Sequence, residues 1–549
     1  MPSLIQFRPG PFSVLFALFL FTVLLSGCAT KQQTRTTTNR PNVLIIYADD
    51  FGYGDVSAYG QGQLQTPNID QLAETGIRFT NGYATSATCT PSRLALLTGT
   101  YPWRNKDAKI LPGDAPLLID TASVTLADIF KKQGYSTGVV GKWHLGLGNG
   151  NVDWNQAIAK TPNDLGFDYS YIMAATNDRV PSVFVENRNV AGLTASDPLY
   201  VSYEKNFPGQ PTALTNPELM TRMKWHHGHN QSVHNGIPRI GFMTGGKSAL
   251  WEDERMAENF LGKAEAFIDE HLSQKTGQPG VARPFVARPG VARPFFLYYA
   301  LHQPHVPRVP GARFAGKSGM GPRGDAILEA DWCVGEIMKK LKAAGLAENT
   351  LVIFSSDNGP VLNDGYYDEA VEKNGKHTPW GQFRGGKYSL LEAGTRVPFI
   401  VSWPNQIKKG VSDALICQLD LFTSLATLVG SKAKTADSQN LLTTLLGKSD
   451  EPQAAGGRSN LVLEASGRLA FRSGDWLFIP PYPGKAVNEQ VNLETGLSPN
   501  PQLYNLRVDP SQRTNLAQQD PGKLADMQKQ MKAIVGSAYQ ANTPELQLK

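Results

Sequence analysis

The chain has 549 residues, of which 41% are hydrophobic, so it is long enough to bury a large core and to form more than one structural unit. The formal net charge of +5 is modest for this length, and no basic block, zinc-finger spacing or RNA-binding motif supports nucleic-acid binding. The 53 glycines and 37 prolines indicate many loops.

The N-terminus has the pattern of a targeting segment. Arg8 precedes the run PFSVLFALFLFTVLLSGC, whose apolar part has the length of a signal-peptide core. The run ends in LSGC, which resembles a bacterial lipobox in which Cys28 becomes the lipidated first residue. A plain signal peptide and a membrane anchor are the alternatives. We predict a lipoprotein signal peptide over residues 1–28, a polar flexible tether over residues 29–40, and an exported protein held in a membrane by lipid, in the periplasm, outer membrane or cell surface.

The next part of the chain alternates strand-like and helix-like patterns. NVLIIYADD reads as a buried parallel strand that ends in Asp49 and Asp50, and LVIFSSDNGP repeats the design with Asp357 and Asn358. Between them, SVTLADIFKKQG is helical and YSTGVVGK is strand-like. This alternation predicts an α/β domain over residues 41–450 with a mostly parallel sheet flanked by helices. Ligands bind beyond the carboxyl ends of such strands, so both polar pairs are expected at one edge of the sheet.

The stretch ATCTPSRLALLTG places a cysteine at the start of a predicted helix. Thr90 suits the N-cap, Pro91 suits the first helical position, and Gly99 ends the pattern. Cys89 therefore lies at a helix N-terminus, where free N–H groups and the helix dipole favour anions, and Arg93 adds a positive charge. A nucleophile at this position would face an anionic group.

The last part of the chain predicts a smaller unit over residues 451–549. GRLAFRSGDWLFI reads as an antiparallel hairpin, and PGKLADMQKQMKAIVGSAYQ as an amphipathic helix that packs on a small antiparallel sheet. Before it, the sequence VARP occurs three times between residues 281 and 294. That period is too short and too rich in proline for a solenoid, so we interpret the repeat as an exposed loop without a catalytic role.

The motif around Cys89 identifies a family. C-T-P-S-R followed by LALLTGTYPWR resembles the C-x-P-S-R motif of type I sulfatases, and the resemblance covers most of residues 41–510. It implies an alkaline-phosphatase-like fold and a formylglycine-generating enzyme or anaerobic maturase that oxidises Cys89 to Cα-formylglycine. The hydrated aldehyde would supply the nucleophilic oxygen. A catalytic thiol of low pKa is the alternative, for which the sequence offers no separate support.

The resemblance also implies a metal site. Asp49, Asp50, Asp357 and Asn358 resemble the calcium ligands of the family, and the modified Cys89 would contact the same ion. Oxygen-bearing side chains of this kind suit a hard divalent cation, Ca²⁺ or Mg²⁺.

Further cationic residues match the family pattern. GKWHLG supplies Lys142 and His144, which resemble the residues that hold sulfate and formylglycine. In HQPHVP the match favours His305 over His302 as the residue at the sulfate and the leaving oxygen, and FRGGKYS supplies Lys387. The implied catalytic set is Cys89, Arg93, Lys142, His144, His305 and Lys387.

The family mechanism assigns a proton transfer to several of these residues. Asp357 would accept a proton as the oxygen attacks sulfur in line, and His305, with Lys387, would protonate the leaving alcohol. His144 would then take the proton of the second hydroxyl, which expels sulfate and restores the aldehyde. Fixed cations stabilise the charge that builds on the leaving oxygen.

Residues 171–251 carry none of these motifs, so we expect them to shape the substrate pocket. A polar loop, AATNDRVPS, and a histidine-rich tract, KWHHGHNQSVHNG, stand out. The tract is interpreted as a sugar subsite, with a surface loop and a metal-binding tract as alternatives. A lipid-anchored hydrolase suits polysaccharide degradation, and sulfated galactose or hexosamine is the expected substrate. The candidate substrate-binding residues are Asn177, Asp178, Arg179, Trp225, His227 and His229.

Two other functions compete with a sulfatase. A phosphatase, phosphodiesterase or phosphonate hydrolase of the alkaline phosphatase superfamily shares the fold, although phosphatases there usually need two metal ions and the evident ligands here suit one. An inactive, lipid-anchored glycan-binding protein is the other, and the intact set of catalytic residues argues against it.

Overall fold

The computed structural model describes residues 40–60, 63–276, 293–448 and 456–536. The described residues from Arg40 onwards belong to one compact unit. The predicted signal peptide, the tether and all but the last two residues of the VARP repeat lie outside the described residues, as does the predicted boundary at residue 450.

The strands fall into one large sheet, one four-stranded sheet and several two-stranded pairs. In chain order they are β1 Asn42–Ala48, β2 Gly76–Phe79, β3 Gly82–Tyr83, β4 Ser136–Lys142, β5 Tyr169–Met173, β6 Phe184–Glu186, β7 Asn189–Val190, β8 Tyr200–Ser202, β9 Lys224–Trp225, β10 Val233–His234, β11 Ile237–Pro238, β12 Phe242–Thr244, β13 Phe295–Ala300, β14 Thr350–Ser356, β15 Tyr366–Tyr367, β16 Phe399–Ser402, β17 Gly410–Ser412, β18 Ile416–Cys417, β19 Asn460–Ala465, β20 Arg468–Ser473, β21 Trp476–Ile479, β22 Val487–Asn488, β23 Leu493–Glu494 and β24 Gln502–Asn505.

The α-helices are α1 Pro67–Glu74, α2 Cys89–Thr98, α3 Leu126–Lys132, α4 Met256–Thr276, α5 Gly321–Ala343, α6 Glu392–Thr395, α7 Leu421–Leu428, α8 Leu442–Leu445 and α9 Pro521–Val535. Short 3₁₀ helices cover Tyr53–Asp55, Ser57–Tyr59, Pro102–Arg104, Pro162–Leu165, Pro217–Leu219, Lys247–Ala249, Asp253–Arg255, Ala347–Asn349 and Gln418–Asp420. Within the described ranges, no helix combines the length and the apolar character needed to cross a bilayer.

The large sheet has ten strands in the order β17-β2-β16-β14-β1-β13-β4-β5-β6-β7. Its centre is parallel, because β14, β1, β13, β4 and β5 all run in the same direction. Antiparallel pairing begins on either side, at β16 and β6. The predicted mostly parallel α/β sheet is confirmed.

The register of the two central strands explains how distant polar pairs meet. Ala48, the last residue of β1, lies opposite Ser356, the last residue of β14. Both strands are fully buried, so their ends are fixed by packing on both faces. Asp49 and Asp357 therefore leave the sheet side by side, at the edge that the sequence pattern predicted.

The core lies on both faces of this sheet. Alternate residues of β1 point to opposite sides: Val43 and Ile45 pack with residues of α2, α3 and α7, whereas Leu44 and Ile46 pack with residues of α4 and α5. This two-sided burial is why the strand reads as a continuous apolar run rather than as an alternating one.

A smaller antiparallel sheet, β19-β20-β21-β24, forms the C-terminal part of the molecule. The predicted hairpin is confirmed, since Phe471 of β20 pairs with Phe478 of β21. Helix α9 packs on this sheet through Met527 and Met531, which are fully buried. The same cluster of buried side chains includes Ala95 of helix α2, so this sheet and the helix that begins at Cys89 share one core.

Candidate active site

The first two acidic residues stand at the end of β1 and are fully buried. The backbone N–H of Asp49 donates to the carbonyl of Gln303, at 3.1 Å. Asp50 has a φ of 63°, in the left-handed region, and its N–H lies 3.2 Å from Oδ1 of Asp357. A non-glycine residue held in this region is uncommon and often marks a functional turn.

Three buried cations neutralise three buried carboxylates at this edge. Lys142, at the end of β4, places Nζ 2.7 and 2.6 Å from the two carboxylate oxygens of Asp49. Nε and Nη2 of Arg93 lie 3.0 and 2.7 Å from Oδ2 of Asp357. Nζ of Lys387 lies 2.9 Å from Oδ2 of Asp50. Charges buried this deeply persist only when they are paired.

The geometry fits a divalent cation. Ligand atoms of Asp49, Asp50 and His305 all lie within 4.8 Å of one another. Oδ1 of Asn358 is buried and has no hydrogen-bond partner, as expected for an oxygen that coordinates a metal ion. Burial raises the pKa of Asp49 and of Asp50, and Lys142 and Lys387 offset only part of this effect. A bound cation would favour the ionised carboxylates. His305 was not predicted to be near the metal.

Cys89 lies at a helix N-terminus, as expected, but helix α2 begins at Cys89 with Thr88 as its N-cap, two residues earlier than the predicted start at Pro91 with Thr90 as the cap. Thr90 cannot serve as the cap because its hydroxyl donates to the carbonyl of His144, at 2.8 Å. Cys89 is 2% exposed. Burial raises the pKa of its thiol, although Lys142 and Lys387 act in the opposite direction. A raised pKa does not favour a catalytic thiolate at this position.

The hydrogen bonds of His144 fix the tautomer of a neutral imidazole. Its Nε2 lies 2.9 Å from the carbonyl of Leu111, and a carbonyl only accepts, so Nε2 carries the proton. Nδ1 is buried without a hydrogen-bond partner and is left with a free lone pair. Burial and the nearby Lys142 lower the pKa of the imidazole well below its usual value.

His305 is held by hydrogen bonds on both sides of its segment. Its Nδ1–H donates to the carbonyl of Val306 at 2.6 Å, which leaves Nε2 facing the site, 4.0 Å from Oδ2 of Asp50. The Asn177 amide donates to the carbonyl of Pro307, at 3.0 Å. Behind the segment, Gln303 donates to Glu329 of helix α5, at 3.0 Å. Burial and Lys387 lower the pKa of His305 well below its usual value.

A cavity of about 580 Å³ opens from this cluster to the surface. Such a volume is typical of pockets that enclose a small ligand. The buried end holds Cys89, His305 and Lys387. The remaining walls come from residues 171–251, which the sequence associated with substrate, and from three segments that it did not, around Leu111, Asp364 and Tyr388. The side chains of these walls include Lys109, Leu111, Asp178, Arg179, Tyr203, His227, His229, Gln231, Asp364 and Tyr388.

Asp178 is the centre of the polar wall. Its Oδ2 lies 2.8 Å from Nη1 of Arg179 and 2.8 Å from Nε2 of His229. Burial would raise its pKa, but Arg179, His229 and His305 together outweigh burial and hold the pKa well below the usual range. Nδ1 of His229 lies 2.8 Å from the carbonyl of His227, so the ring is fixed from both sides and supports Asp178.

Two of the predicted substrate-binding residues lie elsewhere. Asn177 is bonded to the His305 segment and is not part of the cavity wall. Trp225 pairs with Tyr366 in the ladder between β9 and β15 and is likewise absent from the wall. The structure thus brings Asp178, Arg179 and the neighbouring histidines together and leaves these two outside.

The sequence analysis missed Asp364 and Tyr388. Oδ2 of Asp364 lies 2.8 Å from Nζ of Lys387, and the Tyr388 hydroxyl is 3.2 Å from Oδ1 of Asp364. Burial would lower the pKa of Lys387, but Asp364 and Asp50 outweigh it and raise that pKa well above its usual value. Tyr388 follows Lys387 directly, which was the available signal, whereas Asp364 lies in an irregular loop without a spacing pattern.

Comparison with known proteins agrees with this geometry. The sequence matches the family described as Sulfatase over residues 41–431. An N-acetylgalactosamine-6-O-sulfatase of Bacteroides thetaiotaomicron is 47% identical over 517 residues, which cover 93% of this chain and 96% of that protein. Human arylsulfatase A is 31% identical over 496 residues, 87% of this chain and 83% of that protein.

Solved structures give the same result. One from a study of the metabolism of multiple glycosaminoglycans by Bacteroides thetaiotaomicron has a TM-score of 0.84 and 47% identity, and covers 90% of this chain and 99% of that chain. A sulfatase from Pseudoalteromonas has a TM-score of 0.64 and 24% identity, covers 97% of this chain and 96% of that one, and supports the fold alone. The alkaline-phosphatase-like architecture expected from the sequence is confirmed.

Proposed function

Because this chain belongs to the sulfatase family, we propose that it hydrolyses the sulfate ester at carbon 6 of N-acetylgalactosamine or of a closely related galactose unit. The observation that carries this proposal is the continuous cavity that joins the buried cation cluster to the polar wall of Asp178 and Arg179. The 47% identical relative, named for N-acetylgalactosamine 6-sulfate, supports the choice of sugar.

The sulfate group of the substrate would bind at the buried end of the cavity. Asp49, Asp50, Asp357 and Asn358, with His305 close by, would hold a calcium ion, which supplies Lewis-acid polarisation of a sulfate oxygen. Formylglycine at position 89 would supply the nucleophilic hydroxyl. Lys142 and Lys387 bring the positive charge that a sulfate monoester and its departing oxygen need.

The hydrogen bonds and pKa shifts of three residues indicate which of them would accept or donate a proton during the reaction. Arg93, Lys142 and Lys387 together outweigh burial and lower the pKa of Asp357, so this carboxylate stays ionised and available as a proton acceptor. The free Nδ1 of His144 is the second acceptor. Nε2 of His305 faces the site. Because Nδ1–H is bonded to Val306, Nε2 would deliver a proton to the leaving alcohol only from the imidazolium form, which the negative charge of a bound sulfate ester would favour.

The sugar ring would bind to the polar wall of the cavity. Asp178 offers a carboxylate and Arg179 a guanidinium at one edge of the cavity, and neighbouring hydroxyl groups of a sugar ring match such a pair of acceptor and donor. A site built to hydrogen-bond particular hydroxyls rejects sugars that lack them, because its polar groups would remain unpaired.

Release of inorganic sulfate from a panel of sugars tests the proposal. N-acetylgalactosamine 6-sulfate and galactose 6-sulfate should be hydrolysed far faster than N-acetylgalactosamine 4-sulfate or a phosphodiester, and C89A should be inactive but folded. Faster turnover of phosphate esters, or a content of two zinc ions per chain, would favour the competing phosphodiesterase and contradict the sulfatase assignment.

The modification of Cys89 is tested separately by mass spectrometry. Conversion of –CH₂SH to an aldehyde should reduce the mass of the peptide by roughly 18 Da when the protein is made together with a maturase. The peptides that contain Cys333 and Cys417 serve as internal controls and should keep their thiols. An active enzyme in which residue 89 is only an unmodified cysteine would contradict this part of the proposal.

We also propose that the chain is exported and lipidated at Cys28, which lies outside the described residues. The support is the sequence pattern alone, an apolar run that ends in LSGC. Labelling with a radioactive fatty acid should mark the protein, and C28A should remove the label. An unlabelled protein in the membrane fraction would instead indicate an uncleaved anchor.

A further inference from the structure

The mouth of the cavity carries one ammonium group that no carboxylate of the described residues pairs with. At the buried end, Asp49 and Asp357 pair with Lys142 and Arg93, and Lys387 is shared between Asp50 and Asp364. Within the cavity wall, Asp178 is paired with Arg179. Lys109 also lines the cavity, is exposed, and forms no ion pair with any of the residues that the structure describes.

Lys109 lies on a segment of defined position. Its own N–H donates to the carbonyl of Asp107, at 2.9 Å. Two residues further on, the carbonyl of Leu111 accepts the hydrogen bond from His144, at 2.9 Å, and the Leu111 side chain is 8% exposed. The segment is therefore tied to the catalytic cluster on one side while the Lys109 side chain reaches solvent.

The two ends of the cavity differ in their exposure to solvent. Cys89 is 2% exposed and Lys387 is 1% exposed, whereas Lys109 lies at the surface. A sugar whose ester reaches Cys89 would extend towards the mouth, and the next sugar of a chain would leave the cavity there. An anion on that second sugar would meet the one unpaired ammonium of the wall.

We propose that Lys109 forms an outer subsite that binds an anionic group, a carboxylate or a sulfate, on the sugar next to the one that bears the scissile ester. The inference rests on the proposed function and extends it from a monosaccharide to an acidic oligosaccharide. Lys109 acts in binding and specificity and takes no part in bond cleavage, so its contribution belongs to kcat/KM on longer substrates only.

Four substrates and two variants test the subsite in the matured, metal-loaded enzyme. The substrates are N-acetylgalactosamine 6-sulfate, a disaccharide in which this sugar is linked to a uronic acid, the same disaccharide with the carboxyl group reduced to an alcohol, and one with a sulfated neutral neighbour. The variants are K109A and, as a matched control, K106A, since Lys106 is equally exposed but does not line the cavity.

The unsubstituted enzyme and K106A should prefer an acidic disaccharide over the reduced one on the order of threefold to tenfold in kcat/KM, the size of a partly exposed charge contact. K109A should lose this preference and hydrolyse the monosaccharide at an unchanged rate. A preference for the uronate alone identifies a carboxylate subsite, and a preference for the sulfated neighbour alone identifies a sulfate subsite.

Two results would overturn the inference and are distinguishable. If K109A keeps the full preference, or loses the same factor on the monosaccharide, the outer subsite does not exist although the proposed function stands. If the unsubstituted enzyme releases sulfate from none of the four substrates, the proposed function fails and the subsite with it.

Discussion

Asn358 provides an amide oxygen that no protein group satisfies. Its Nδ2 donates to Oδ1 of Asp50 at 2.7 Å, whereas its Oδ1 is buried without a partner. N358A removes both this oxygen and the hydrogen bond that orients Asp50. The apparent affinity for calcium should fall by about 10- to 100-fold, as for other changes that disturb a ligand set. Metal analysis after dialysis against a range of free calcium measures this, with N363A as the control. An unchanged metal content would contradict the assigned ion site.

His305 and Asp178 should respond to different parts of the substrate. H305A removes the group that we propose acts at the leaving oxygen, so kcat/KM on a sugar sulfate should fall by about 10²–10⁴-fold, the usual range for a general acid. The loss should be smaller on an aryl sulfate, whose phenolate departs with little protonation. D178N should show the opposite pattern, because a small aryl group never reaches the polar wall. Equal losses on both substrates in both variants would show that chemistry and recognition are not divided in this way.

Some of the residues that the sequence revealed are placed by regular structure. Asp49 and Asp357 follow apolar strands, and Cys89 begins a helix, so patterns of period and capping locate them. His305 and Lys387 lie outside helices and strands and were named through the family resemblance. Asp364 and Lys109 lie in irregular loops, whose path is set by tertiary contacts and leaves no periodic signal. Trp225 was assigned to the sugar because it is aromatic, but strand pairing with Tyr366 determines its place.

Behind the metal edge, Asp55 joins three elements of the fold. It follows β1, accepts two hydrogen bonds from Arg323 of helix α5 at 2.9 and 2.6 Å, and lies 2.8 Å from Nε2 of His377. Burial would raise its pKa, but Arg323 and His377 outweigh burial and lower the pKa from 3.8 to about 2. Because the pKa is lower in the folded state, the carboxylate stabilises the fold above about pH 4 and loses this effect as the pH falls towards 2.

The expected contribution is about 2 kcal/mol at neutral pH, from a pKa shift of this size. D55N should destabilise the protein by at least this amount at pH 7, since Arg323 would remain buried without its partner. The difference from the unsubstituted protein should narrow between pH 5 and pH 3. Thermal unfolding followed at several pH values measures it, with the exposed D107N as the control. A difference that does not depend on pH would show that the charge of Asp55 is not responsible.

At the scale of elements, several strands, the C-terminal hairpin and the helices α3 and α9 were predicted, but the start of α2 was not. The predicted patterns for β1, β4, β14 and the C-terminal hairpin all correspond to observed elements, because buried apolar runs and short turns are local signals. The N-cap of α2 was misplaced because Thr90 bonds to His144, a residue 54 positions away. A contact over that distance has no trace in the local sequence.

The whole molecule couples the C-terminal sheet to the catalytic helix. The N–H of Ala87 donates to the carbonyl of Glu464 at 2.8 Å, and the N–H of Glu464 donates to the carbonyl of Thr85 at 3.2 Å, so β19 flanks the segment that leads to Cys89. On the other side, the N–H of Leu390 donates to the carbonyl of Thr495 at 2.9 Å, close to Lys387. Two parts of the site therefore depend on the C-terminal region for their position.

M527A tests whether this coupling makes the molecule one cooperative unit. Met527 is fully buried between α9 and the C-terminal sheet, far along the chain from the catalytic residues, and truncation of such a side chain costs about 2–5 kcal/mol. If the shared core transmits the loss, the temperature at which activity disappears should fall together with the midpoint of unfolding measured by circular dichroism. K529A, on the exposed side of the same helix, should change the free energy of unfolding by no more than about 0.5 kcal/mol and leave both temperatures nearly unchanged. If M527A lowers the circular dichroism midpoint but activity survives to its original temperature, the C-terminal sheet unfolds on its own, and the hydrogen bonds around Glu464 and Thr495 are not what holds the catalytic helix and Lys387 in place.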